Sequence, residues 1–125
     1  MFEDAEIISC YTRQDAINDG MFVDVSETAK EAGIKFPVAV TSNLWNSYIS
    51  PNPMPIAQDE QGRLWDVLHM FKLAAKNTGD SFMEFHVLFA DSHGKTEKIK
   101  IWAVCEAQSP TDPSPAINIM LPEDY

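Results

Sequence analysis

A chain of 125 residues with 45% hydrophobic composition fits one domain with a sizeable core. Nine Lys and Arg against 19 Asp and Glu leave a net charge of −10, which argues against direct nucleic-acid binding, because phosphate contact needs clustered basic groups. No apolar run approaches the roughly 18 residues of a membrane span, and the start Met-Phe-Glu-Asp-Ala-Glu is acidic where a secretory signal is basic, so a cytoplasmic location is expected.

In chain order, Ile7, Ile8 and Cys10 make a short apolar opening that reads as a strand. Thr12 followed by Asp15 reads as a helix N-cap with an acidic N3 residue, opening a short helix through Asn18 that Asp19-Gly20 closes. The run Met21 to Val25 fits either a strand or an extended connection. Ser26 is placed to cap a second helix, Glu27 to Ala32, which Gly33 ends as a C′ glycine. Phe36-Pro-Val-Ala-Val40 is extended by its proline and β-branched content, and Thr41 or Ser42 caps a third helix containing Leu44, Trp45, Tyr48 and Ile49. Pro51, Pro53 and Pro55 make Ser50 to Ala57 a loop.

The strongest helix signal follows, from Asp59 to Asn77, with Thr78 and Gly79 leading out. Apolar residues at Leu64, Trp65, Val67, Leu68, Met70, Phe71, Leu73, Ala74 and Ala75 fill the i, i+3, i+4, i+7 stripe and its neighbours, which predicts a central helix covered on two sides. Its polar strip is Asp66, His69, Lys72 and Lys76. After Gly79 the period changes to two. Met83, Phe85, Val87 and Phe89 share one strand face, and Ile99, Ile101, Ala103 and Cys105 share a face of the next, with Asp91 to Lys95 as the turn of an antiparallel hairpin. Gln108 to Pro115, with three prolines, is expected to be a connection, and Ile117 to Leu121 a third strand. The fold class is α+β, with short helices and one central helix packed on one face of an antiparallel three-strand or slightly larger sheet.

No chemistry announces itself. The five glycines are scattered as turn punctuation, so no phosphate loop is present, and no cofactor is expected. Asp66 and His69 have i, i+3 spacing, but one such pair reads as a helix-surface contact and no metal site is expected. Cys10 and Cys105 lack redox or metal spacing and read as two reduced thiols. Polar residues crowd into Tyr11, Thr12, Arg13, Asp15 and Asp19, and Arg63 with Asp66 adds a charged pair at a helix start. An active or binding site would recruit Arg13 or Arg63 as an anion clamp, with Asp15 or Asp24 as base; the plainer reading is capping and ion pairing. His86 is expected to face Lys100 across the hairpin. No serine or cysteine sits in a nucleophile motif.

Several strings together resemble a family of uncharacterised small proteins encoded on bacterial plasmids, phages and integrated elements. They are Tyr11-Thr-Arg13 with Asp15-Ala-Ile17 and Asp19-Gly20, Val23-Asp-Val-Ser26, Glu31-Ala-Gly33, Pro37-Val-Ala39, Gly62 to Leu68, Ala103-Val-Cys105 and Ile119-Met-Leu-Pro122. The resemblance implies a genomic setting and no catalytic residue, and the chain departs from the family pattern around Gln108 to Pro115.

Residues 1–31 carry eight acids against two bases. A field of that sign steers basic partners, and the plainer reading of it is solubility. The expected function is therefore a non-enzymatic accessory protein of a mobile element that binds another protein, in one version as a mimic of nucleic-acid charge occupying a basic nucleic-acid-binding protein. The alternative is a small-ligand-binding domain or enzyme using Arg13, Arg63 and nearby aspartates, which requires those residues to converge on one pocket. A third expectation is a homodimer joined through sheet edges or through Trp45, Tyr48 and Trp102.

Overall fold

The structure is a computed structural model and describes residues 12–125. The strand expected at Ile7, Ile8 and Cys10 lies outside the described residues, as does Tyr11. Helix α1 spans Arg13–Asn18 and strand β1 Phe22–Asp24; α2 spans Ser26–Glu31 and β2 Val38–Thr41. A short α3, Ser42–Leu44, runs directly into a π-helical turn, Trp45–Ile49. The central helix α4 covers Glu60–Asn77, and the chain ends in β3 (Phe82–Ala90), β4 (Thr96–Ser109), β5 (Asp112–Met120) and a 3-10 turn at Pro122–Asp124.

Local chemistry sets most of these boundaries. Thr12 and Asp15 form a full capping box: the Asp15 amide donates to the Thr12 hydroxyl and the Thr12 amide donates to the Asp15 carboxylate. Asp59 caps α4 by accepting from the Gly62 amide, and Thr41 caps α3 by accepting from Leu44. Helix α2 ends as read, since the Gly33 amide donates to Lys30 and the Ile34 amide to Ala29, with Gly33 at φ +89° where a side chain would be strained. Its start differs from the expectation. Ser26 is the first helical residue and makes no side-chain cap, because its hydroxyl donates to the Asp24 carboxylate and accepts the Val38 amide, tying α2 to β2.

The sheet is larger than a meander and is mixed. Its order is β1-β2-β5-β4-β3, with β2 parallel to β5 and every other pair antiparallel. Strands β2 and β5 are buried on both sides, from Val38 to Thr41 and from Ala116 to Met120, and apart from Thr41 and Asn118 these residues are apolar, as strands covered on two faces read. The expected connection at Gln108 to Pro115 is instead strand: β4 runs on to Ser109, the chain turns at Pro110-Thr111, and β5 starts at Asp112. Prolines are tolerated there because β2 pairs only with Ile117 to Ile119, leaving the first half of β5 as a sheet edge where Pro113 and Pro115 remove no second ladder.

One face of the sheet carries Val38, Val40, Phe85, Val87, Phe89, Ile99, Ile101, Ala103, Ile117 and Ile119, joined in one core to Leu64, Val67, Leu68 and Phe71 of α4. Burying these four helix side chains is worth roughly 1.5 to 3 kcal/mol each. The helix is covered on one side only, since Trp65 is 39% and Leu73 42% exposed. Helix α1 lies over the other face, where Ala39, Thr41 and Asn118 alternate with the core residues and Arg13 reaches Asn118. The helices therefore do not share one face: α4 covers the core side, while α1 lies on the opposite side, packed against β1 and β4 with Arg13 reaching β5.

Candidate functional site

Among the described residues the buried polar side chains are Arg13, Thr41, Arg63 and Asn118, and three of these four meet on the α1 side of the sheet. The capping box sets where α1 begins and so places Arg13 in its first turn, with Arg13 and Ala16 turned inward. Asn118 is 2% exposed on the central strand β5. Arg13 Nε donates to Asn118 Oδ1 at 2.7 Å and its Nη2 to the Ile117 carbonyl at 3.4 Å, with Gln108 Oε1 at 3.5 Å from Nη1. Asn118 Nδ2 in turn donates to Glu106 Oε1 at 2.8 Å, so the amide bridges a guanidinium and a carboxylate. At the far wall Asp124 accepts from Thr41 Oγ1 at 2.7 Å, Asn43 Nδ2 at 3.0 Å and the Leu121 amide at 3.1 Å, which docks the C-terminal turn against β2.

These groups line a cleft of about 370 Å³ between α1, β1 and the C-terminal turn, with Arg13, Phe22, Thr41, Asn43, Glu106 and Asp124 in its walls. Burial pushes the Arg13 guanidinium below the usual arginine range, while the charges of Asp24 and Glu106 push it back up. The walls thus hold one cation, Arg13, against the carboxylates of Glu106 and Asp124, and the cleft is negative in sum. Glu106 is exposed, and its second oxygen accepts from no group among the described residues.

The other predicted residues are elsewhere or otherwise occupied. Asp15 is exposed in the capping box, Asp19 is exposed at the C-cap of α1, and Asp24 accepts from the Ser26 amide and hydroxyl. Arg63 is 4% exposed on α4, on the core side of the sheet. It donates from Nη1 to the Tyr48 carbonyl at 2.7 Å and from Nη2 to the Ala90 carbonyl, and its guanidinium carbon sits 5.3 Å above the Phe89 ring. Its Nε has no partner among the described residues. Burial lowers its pKa and the neighbouring exposed Asp66 raises it. Arg63 lines a separate cavity of about 420 Å³ with Tyr48, Pro53, Met54, Ile56 and Glu97. The structure therefore does not bring Arg13 and Arg63 into one pocket.

His86 stands opposite Lys100 in the β3–β4 register, half-buried, as read from the spacing. No group of three His, Cys, Asp or Glu able to hold a metal occurs among the described residues. Cys105 is a half-buried free thiol. Glu106, Asn118, Thr41 and Asp124 escaped the reading as site residues. A signal existed for one of them: Asn118 is the lone polar residue in the apolar run Ile117 to Leu121.

Fold and site define a small acidic α+β domain with a polar, negatively charged cleft on one sheet face, and no helix among the described residues is long and apolar enough to cross a membrane. A family model described as a family of unknown function (DUF6573) matches residues 1–125, and the chain belongs to that family. No curated protein and no solved structure matches it.

Proposed function

We propose that this is a non-enzymatic binding protein whose acidic cleft receives a basic side chain of a protein partner. The observation that supports it most directly is the Arg13–Asn118–Glu106 relay at the base of that cleft. It fixes the Glu106 carboxylate by one oxygen and, among the described residues, leaves the other for an incoming donor, with Asp124 in the cleft wall and Asp24 nearby adding to the negative field. Ammonium and guanidinium groups are the donors that such a field selects, and it also raises their rate of encounter. In its sharper form the partner is a basic nucleic-acid-binding protein held away from nucleic acid, in the setting of a mobile genetic element that the sequence resemblance implies. A ligand or enzyme site built jointly on Arg13 and Arg63 has no common cavity to occupy.

The test is a pull-down of the tagged chain from host lysate at low and high salt, run beside Glu106→Lys. A protein captured stoichiometrically by the wild type, lost at high salt and lost with Glu106→Lys, is the expected result. Capture indifferent to both salt and charge reversal refutes the reading.

A further inference from the structure

Strand β3 ends the sheet, and no strand among the described residues pairs with its outer edge. The hydrogen bonds around it show which groups face out. The Cys105 amide donates to the Ser81 carbonyl and the Asp91 amide to the Lys95 carbonyl, so odd-numbered residues of β3 bond to β4. In an antiparallel ladder the even-numbered ones then turn their amides and carbonyls outward. These are Phe82, Glu84, His86, Leu88 and Ala90. Arg63 confirms the phase, since its Nη2 takes the Ala90 carbonyl and plugs that end of the edge.

Sheet edges of this length are ordinarily protected by charged side chains, lysine above all, by proline or by a bulge, and Glu84 is the one such charge here. Phe82–Ala90 contains no lysine and no proline, and its pairing with β4 is unbroken over all nine residues. On the face opposite the core it shows Phe82, 41% exposed, and Leu88, 60% exposed, flanking Glu84 and His86. Phe82 belongs to an aromatic cluster with Trp102 and Tyr125, at ring distances of 5.0 and 6.2 Å.

We propose that the β3 edges of two copies of this chain pair antiparallel about a twofold axis at Phe85, joining two five-stranded sheets into one of ten. The sequence of the edge is self-complementary in that register. Glu84 lies opposite His86 of the second copy, and Phe82 lies opposite Leu88 of the second copy, with opposed side chains on the same face. Both exposed apolar side chains are then covered, and all four outward residues left open by Arg63 exchange hydrogen bonds. Moving the axis to His86 sets Phe82 against the Ala90 carbonyl that Arg63 already occupies, and sets Glu84 against Leu88. The Glu84 carboxylate is also held for the purpose: Trp102 Nε1 donates to its Oε1 at 2.9 Å, which leaves the other oxygen for the histidine across the axis. A symmetric pair of this kind closes on itself, so it makes a dimer and no longer fibre.

The experiment is sedimentation of the full chain, with amide exchange read residue by residue, for the wild type, Leu88→Lys and His86→Pro. The wild type is expected at twice the 14.0 kDa of one chain, with the amides of Phe82, Glu84, His86 and Leu88 exchanging as slowly as those of Met83, Phe85 and Val87. Leu88→Lys sets a charge against Phe82 of the second copy at an exposed position, and His86→Pro removes an amide that β4 does not use. Both variants are expected to halve the mass and to release only the even-numbered amides, the odd-numbered ones reporting that β3 is still folded. A wild type that sediments as one chain, or one whose even-numbered amides exchange fast, overturns the proposal. A dimer that survives Leu88→Lys with its β3 amides still protected overturns it equally.

Discussion

Replacing Arg63 by Met tests whether a buried cation without a carboxylate partner stabilises this fold. The side chain is 4% exposed and ties α4 to two segments distant in sequence, the turn after α3 through the Tyr48 carbonyl and the end of β3 through the Ala90 carbonyl and the Phe89 ring. Methionine keeps most of the packing volume, so what is lost is chiefly two charge-assisted hydrogen bonds, at about 1.5 to 3 kcal/mol each. Two effects reduce that sum. Burial of the charge is itself unfavourable, as its lowered pKa reports, and its removal returns part of the cost. The Ala90 carbonyl also sits on the sheet edge, where water can replace the guanidinium. A net loss of about 2 kcal/mol remains, and at about 2.1 cal/mol/K of unfolding entropy per residue this lowers the melting temperature of a domain of this size by about 8 °C. Thermal unfolding followed by circular dichroism reads the shift, and amide exchange is expected to quicken in the Trp45–Ile49 turn. Arg63→Lys should fall between the two, because one ammonium cannot span both carbonyls. A melting temperature of Arg63→Met equal to or above wild type would show that desolvation outweighs the two bonds, and that Arg63 does not stabilise the fold.

Other perturbations separate the remaining contributions. Leu68, fully buried beneath α4, should cost about 2 to 5 kcal/mol as Leu68→Ala, and Leu68→Asp should leave the chain unfolded by circular dichroism; a folded Asp variant would contradict the core described above. Asn118→Leu removes the shortest hydrogen bond of the Arg13 guanidinium and should cost about 2 to 3 kcal/mol, whereas adding Arg13→Met should recover part of that loss in a double-mutant cycle; strict additivity would mean the relay carries no coupling. Thr12→Ala removes the capping box and should cost about 1 kcal/mol, seen as a melting shift without change in the folded spectrum. Tyr48 is held above its ordinary 10.0 by burial and by the charges of Glu97 and Glu123. Its neutral form therefore favours the fold, a contribution complete below pH 10.0 and lost as pH rises through the window above it. Wild type should lose stability with alkaline pH more steeply than Tyr48→Phe, and parallel pH curves would refute the assignment.

The features legible in the sequence were those governed by near neighbours. Thr12 with Asp15, and Gly33, marked helix ends correctly, and Thr41 was one of the two caps offered for α3, because a cap is a contact over three or four residues. Alternation in Met83 to Phe89 and Ile99 to Cys105 gave the hairpin and the face of each side chain, including His86 opposite Lys100, because the pleat repeats every two residues. Three prolines in Gln108 to Pro115 misled, since what decides whether proline interrupts a strand is whether a neighbour needs its amide, and that neighbour is β2. The helix Glu60–Asn77 was read as covered on two sides because composition counts apolar residues without saying what lies above them.

The candidate site shows the same division. The acidic balance and the presence of Arg13 near a helix start were determined by the sequence alone, as was the α+β class. That Arg13 meets Asn118, 105 residues away, that Asp124 closes on Thr41, and that Arg63 serves the opposite side of the sheet were decided only when β5 inserted between β2 and β4, parallel to β2. Caps and periodicity are written into adjacent residues, whereas a parallel pairing between segments nearly eighty residues apart leaves both strands looking merely apolar, and it is that pairing which chooses the neighbours of every buried polar group.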